Sequence, residues 1–197
     1  MNSAVLMPNW LGDCIMALSV ALHKSRRGGE EISLIVPVGL SPLIEHLTNL
    51  PVIPYNRGTR EDFSKIIQAV KSRRFDRLYI LPHSFSAAWF ALRTGIRERR
   101  GIRGELRSLL LTRPLPRSIA NRSQHLTREY STVLSVDYPR PQEWSGVTVE
   151  KDEKHAGAIV LCPGAIFGPT KRWPGFADLI ERFPHDRFVL LGTPAER

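Results

Sequence analysis

Two cysteines, Cys14 and Cys162, are all that the 197 residues contain. They are too few and too far apart for a disulfide framework or a zinc site. Both read as small buried hydrophobes. Apolar runs are strand-sized, and none reaches the roughly 20 residues of a membrane-spanning helix. The start of the chain lacks a basic segment followed by a cleavable apolar one, so no secretory signal is visible. A reducing cytoplasm is the compartment these absences favour. The glycine-rich phosphate loops are missing too: there is no Walker A motif and no G-x-G-x-x-G, so neither an NTPase nor a dinucleotide oxidoreductase is supported. No G-x-S-x-G follows a strand, which argues against a serine hydrolase. The six histidines show no metal-ligand spacing, and no metal or other cofactor is expected.

Acidic charge is also scarce. Nineteen Asp and Glu face 28 Lys and Arg, for a net charge of +9 and a pI near 10.1. Such a balance invites an anionic partner. Between Phe85 and Tyr130 there are ten Arg, no Lys and three Glu, so most of the excess sits in one segment. Nucleic acid is one candidate, but zinc-finger spacing, an aromatic RNP-like strand and a basic helix with a dimerisation heptad are all missing. The remaining readings are an anionic sugar or lipid, or a plain solvated surface. The hydrophobic fraction of 42% is ordinary for a globular chain and argues against disorder.

Strands and helices alternate. Apolar strands are predicted at Ala4–Met7, Ile32–Val36, Val52–Tyr55 and Leu78–Leu81. Helices are predicted over 13–25, 42–48, 60–73, 85–92 and 124–136, from apolar spacing of three and four. Residues 101–120 read as irregular. Near-continuous apolar strands separated by helices imply an α/β fold, with a parallel sheet covered on both faces. Residues 137–155, with two prolines and little periodicity, read as a linker. The pattern then restarts with a strand at 158–161, a helix at 174–182 and a strand at 188–191. Two strands and one helix cannot bury a core alone. The expectation is therefore an N-terminal doubly wound domain over 1–136, and over 156–197 the first β-α-β unit of a second domain that is cut short.

Ligands of open α/β sheets bind at the carboxyl ends of strands. Two loops hold that position. In Pro8-Asn9-Trp10-Leu11-Gly12-Asp13, Gly12 permits a tight turn and Asp13 opens a helix. Asp13 is then either a helix cap or a carboxylate held as a general base. The second loop runs from Cys162 to Pro174. Gly164 allows close backbone approach, Pro174 suits a first helical turn, and Thr170, Lys171 and Arg172 offer a hydroxyl and two cations. That set suits a diphosphate, or is an exposed basic loop. His83 and Ser84 follow the fourth strand, where His83 either contacts substrate or is a satisfied structural histidine.

Taken in order, Asn9-Trp10-Leu11-Gly12-Asp13, Leu81-Pro82-His83-Ser84-Phe85, Gly101-Ile102-Arg103-Gly104-Glu105-Leu106-Arg107, Cys162-Pro163-Gly164-Ala165 and Phe167-Gly168-Pro169-Thr170-Lys171-Arg172-Trp173-Pro174 resemble one family. It is the ADP-heptose:lipopolysaccharide heptosyltransferases of glycosyltransferase family 9, and within it the heptosyltransferase II branch. The resemblance implies a GT-B fold of two Rossmann-like domains. It implies an inverting transfer of heptose from ADP-heptose to the lipopolysaccharide inner core. Asp13 maps onto the family's base, and Lys171, with Thr170 and Gly164, onto the donor phosphate site. Asn9, Trp10 and the Arg-rich segment, represented by Arg97, Arg99, Arg100 and Arg103, fall on the acceptor side. They would face inner-core anions or the inner-membrane surface around them. The family continues beyond the point where this sequence stops, with an Asp-x-Gly-x-x-His-like donor segment. A non-catalytic remnant that binds acceptor or membrane only is therefore the alternative to an active transferase.

Overall fold

The computed structural model describes residues 1–56, 58–104, 106–120, 123–140, 151–164 and 169–192. It divides into two compact units, Met1–Thr148 and Val149–Arg197. Most of the predicted linker, residues 141–150, and residues 165–168 of the second loop lie outside the described residues.

The first unit is built on six parallel strands: β1 (Asn2–Leu6), β2 (Glu31–Pro37), β3 (Val52–Tyr55), β4 (Arg77–Ile80), β5 (Glu98–Ile102) and β6 (Arg113–Leu115). Their order across the sheet is β3-β2-β1-β4-β5-β6. Five helices connect or cover them: α1 (Leu11–Arg27), α2 (Ser41–Leu47), α3 (Arg60–Ser72), α4 (Phe85–Thr94) and α5 (Leu126–Leu134). Side chains alternate along each strand. Ala4, Leu6, Leu78 and Ile80 therefore enter one core with α3 and α4. Val5, Met7, Tyr79 and Leu81 enter the other with α1, α2 and α5. Burial on both faces is why these strands read as unbroken apolar runs.

β5 and β6 correct the expectation of irregular chain over 101–120. The sequence of β5, Glu-Arg-Arg-Gly-Ile, has no apolar run to announce it. Polar bonds do the work that burial does elsewhere. Glu98 pairs with Arg77 Nε at 2.7 Å. Arg99 Nε donates to the Leu110 carbonyl at 2.8 Å and its Nη1 to the Ile96 carbonyl at 2.8 Å. Behind Arg77, the fully buried Tyr79 hydroxyl accepts from Arg77 Nη1 at 2.9 Å and donates to Glu30 at 2.9 Å, and Lys24 closes on Glu30 at 3.2 Å. Burial alone would raise the Glu30 carboxyl. The Ser3 and Tyr79 hydroxyls and the Lys24 ammonium outweigh it and hold that carboxyl below its usual range.

The second unit contains the parallel pair β7 (Ile159–Leu161) and β8 (Phe188–Leu190) with α6 (Phe176–Arg182). Among its described residues only Leu161 is buried. Cys162 is consequently exposed, against the expectation that it is a core thiol: the two-stranded pair does not enclose the residue that follows β7. No helix among the described residues is long and apolar enough to cross a membrane.

Candidate functional site at the carboxyl edge of the first sheet

The strand order reverses direction between β1 and β4. At such a switch point the two chains leave their strands toward opposite faces, and a crevice opens at the carboxyl ends. The residues after β1 and β4 therefore meet. A pocket of about 310 Å³ is lined by Asn9, Trp10 and Asp13 from one side and by His83, Ser84, Glu129 and Tyr130 among others. Two sequence stretches that lie some seventy positions apart thus share one hollow.

Asp13 is not the cap of α1. The N-cap position belongs to Trp10, whose side chain makes no capping bond, and Asp13 lies in the first turn. Gly12 likewise is a helical residue with an ordinary φ, not a turn glycine. Asp13 is half-buried, and no hydrogen bond to its carboxylate is found among the described residues. Its charge is felt around it. Burial first, and Asp13 second, push the Cys14 thiol up to about 11. The same two causes, with Glu129 and Cys14 adding to them, raise the Tyr130 hydroxyl well above its ordinary value. Tyr130 therefore stays protonated, as a donor beside the pocket. Asn9 is held from behind: its Oδ1 accepts from the Tyr55 hydroxyl at 2.8 Å. Trp10 is exposed.

His83 Nε2 lies 2.6 Å from the Glu129 carboxylate. Glu129 is 6% exposed, whereas the His83 side chain is about half open. His83 is thus satisfied and accessible together, so the two roles weighed for it do not compete. Glu129 escaped the sequence reading. Its signal was an acid at an α5 position that faces the core, in a segment otherwise rich in arginine.

The four arginines expected on the acceptor side are not brought together. Arg97 lines a hollow with Phe75, Asp76 and Arg113 at the amino ends of the strands, away from Asp13. Arg99 is tied to the carbonyls of Leu110 and Ile96. Arg100 donates to the Val133 carbonyl at 2.8 Å and the Thr132 carbonyl at 3.1 Å, closing the last turn of α5. Only Arg103, exposed just after β5, stands at the carboxyl edge.

The second loop is described apart, in the second unit. Gly164 follows β7 and is half-buried; Thr170 and Lys171 are exposed in a short 3₁₀ turn, Pro169–Lys171. The helix predicted from Pro174 begins two residues later, at Phe176. Thr170 and Lys171 therefore do not sit on its amino end. Trp173 packs edge-on against Phe176, ring centroids 5.1 Å apart, and fixes the exit from this turn.

Residues 63–197 match the model of glycosyltransferase family 9 (heptosyltransferase). The chain is 30% identical over 221 residues to lipopolysaccharide heptosyltransferase 2 of Escherichia coli K12, covering 98% of this chain and 64% of that protein. It is 26% identical over 203 residues to lipooligosaccharide heptosyltransferase 2 of Haemophilus ducreyi, covering 89% and 58%. Among solved structures, that of E. coli ADP-heptose lps heptosyltransferase II superposes with a TM-score of 0.78 at 28% identity, over 99% of this chain and 65% of that one. E. coli heptosyltransferase WaaC with ADP-2-deoxy-2-fluoro heptose gives 0.76 at 18% identity, over 100% and 70%, a likeness of fold. The chain thus spans about three-fifths of the length of the curated relatives it matches.

Proposed function

We propose that this chain, which belongs to glycosyltransferase family 9 with its α/β, GT-B-type fold, transfers heptose from ADP-heptose to the inner core of lipopolysaccharide with inversion. The observation that carries the reading is the pocket at the strand-order switch, where the unbonded Asp13 carboxylate opens beside Asn9 and His83. Asp13 takes the proton from an acceptor hydroxyl. The hydroxyl oxygen bonds to the anomeric carbon of the heptose, and the bond from that carbon to the diphosphate breaks. ADP leaves with the electron pair. A positioned base of this kind contributes roughly 10²–10⁴ in rate. Asn9, braced by Tyr55, and Trp10 orient the acceptor. Lys171, with Thr170 and Gly164 in the second unit, holds the donor diphosphate and offsets the charge that builds on departing ADP. ADP should form from ADP-heptose only when a core acceptor is present; equal release without acceptor would remove the transferase reading.

An acceptor borne on a lipid would bring the enzyme peripherally to the cytoplasmic side of the inner membrane. A surface of the first unit suits that setting. Phe85 and Trp89 stand one turn apart on α4, and both are about half exposed. Leu106 and Leu109, 69% and 82% exposed, lie on one face of the 3₁₀ turn Leu106–Leu110, where residues three apart eclipse. That turn packs against α4. Arg93 lies over the Trp89 ring at 5.9 Å, and Arg103 and Arg117 are exposed nearby in sequence. Exposed apolar side chains with cations close by fit an anionic bilayer surface. Serine at both Trp89 and Leu109 should weaken sedimentation with anionic phospholipid vesicles by about 10-fold or more, since each side chain buries apolar area worth about 1 kcal/mol or more. The melting temperature should hold, because neither side chain serves the core. Unchanged sedimentation would mark the patch as ordinary surface.

A further inference from the structure

Tyr130 is 3% exposed. Its hydroxyl has no hydrogen-bond partner among the described residues, yet it is not sealed from solvent. The other three tyrosines of the chain are all engaged through their hydroxyls. Tyr55 donates to Asn9, Tyr79 joins Arg77 to Glu30, and Tyr138 accepts from Thr127. The Tyr130 ring belongs to the core shared with α1, where Phe would pack as well. A hydroxyl retained in such a place without a partner calls for an explanation. The little exposure left to Tyr130 opens on the Asp13 pocket, which it helps to line.

A carboxylate stands next to it. Glu129, the preceding residue of α5, lines the same pocket. His83 Nε2 occupies Glu129 Oε1. The other oxygen, Oε2, has no partner among the described residues and is likewise open. Burial chiefly, then the Asp13 and Glu129 charges, keep the proton on Tyr130, so its hydroxyl is available as a donor. The wall thus carries a donor and an acceptor on adjacent residues, neither used by the fold. An alcohol hydroxyl donates and accepts through one oxygen and satisfies both. An anion does not: it brings no proton to Glu129 and meets the charges of Glu129 and Asp13. The pocket, about 310 Å³, is at the small end for ligand sites and suits one sugar residue.

We propose that Tyr130 and Glu129 form a specificity site for one neutral hydroxyl of the acceptor saccharide, other than the hydroxyl that Asp13 deprotonates. Tyr130 donates to its oxygen, and Glu129 Oε2 accepts from it. His83 is the positioning residue: it holds Oε1 and leaves Oε2 for the sugar. Bonding a second hydroxyl fixes the rotation of the sugar in the pocket, so that one particular hydroxyl is presented to Asp13. The acceptor assignment rests on the transferase reading; recognition of a sugar hydroxyl by the pocket does not.

The test uses the 197-residue chain without donor, titrated by NMR with the methyl glycoside of a heptose and with its monodeoxy analogues. Wild type should bind the parent glycoside saturably. Tyr130→Phe should weaken that binding about 3- to 10-fold, the worth of a neutral hydrogen bond. One monodeoxy analogue should lose only about twofold or less from the same change, because the bond is already gone in it. Glu129→Gln keeps the shape and a partner for His83; it should weaken the parent about 10-fold or more, and spare the same analogue. Unliganded Tyr130→Phe should melt at or above the wild-type temperature, since the hydroxyl it removes bonds nothing in the fold. A lower melting temperature would make the hydroxyl structural and overturn the proposal. So would parent binding that Tyr130→Phe leaves intact, which would assign the two groups to a bound water. An equal loss across every analogue, or a wild type that binds no glycoside, would overturn it too. The Tyr130→Phe arm decides alone if Glu129→Gln does not fold. Absence of heptose transfer with hydroxyl recognition intact would count against the proposed reaction alone.

Discussion

With Asn in place of Asp13, turnover is expected to fall by about 10²-fold or more while ADP affinity stays as it was. The two side chains have nearly the same shape, so the pocket that Asp13 shares with Asn9 and His83 keeps its form. What is lost is the basicity that takes up the proton, since an amide oxygen accepts hydrogen bonds but is far too weak a base. The alternative role for Asp13 is a negative charge in the first turn of α1, where it meets the amino end of the helix dipole. That is worth only about 0.3–1 kcal/mol, so the melting temperature should move little. Steady-state kinetics separates the two roles. Turnover within a few-fold of wild type would leave Asp13 as a helix-end charge and nothing more.

Lys171→Ala is expected to weaken ADP binding by about 10- to 150-fold, the equivalent of roughly 1.5–3 kcal/mol for a hydrogen bond to a charged group. Lys171 is exposed in its 3₁₀ turn. It acts on the diphosphate as a flexible point charge, and its effect should shrink as salt rises. An exposed lysine holds up no core, so stability should not change. Calorimetry with ADP at two ionic strengths checks both parts. Affinity within a factor of two of wild type would remove Lys171 from the donor site.

The apolar strands β1 to β4 could be read directly because parallel strands buried on both faces carry no polar interruptions. β5 could not. Its stability comes from the Arg77–Glu98 pair and from arginine–carbonyl bonds, and apart from Ile96 these partners lie far from it in sequence. The same holds for the arginines expected on the acceptor side. Charge density marked the segment, but strand register decides which end of the sheet each side chain reaches. It sent Arg97 to the amino end and spent Arg99 and Arg100 on backbone. Asp13, Asn9 and His83 were legible because each follows directly on a strand whose carboxyl end was predictable. Glu129 and Tyr130 were not, since they reach the pocket only through the packing of α5. The strand order, which makes β1 and β4 neighbours at the switch point, is likewise a property of the assembled sheet.

The central claim is a transfer chemistry, and product analysis tests it most directly. The chain is incubated with ADP-heptose of defined anomeric configuration and a heptose-bearing inner-core acceptor, and the product is examined by mass spectrometry and by NMR of the new linkage. The acceptor should gain a single heptosyl residue, one ADP should appear per residue transferred, and the new linkage should have the anomeric configuration opposite to the donor's. A product with retained configuration, or ADP-heptose consumed with no change in acceptor mass, would contradict direct displacement by an acceptor hydroxyl that Asp13 deprotonates.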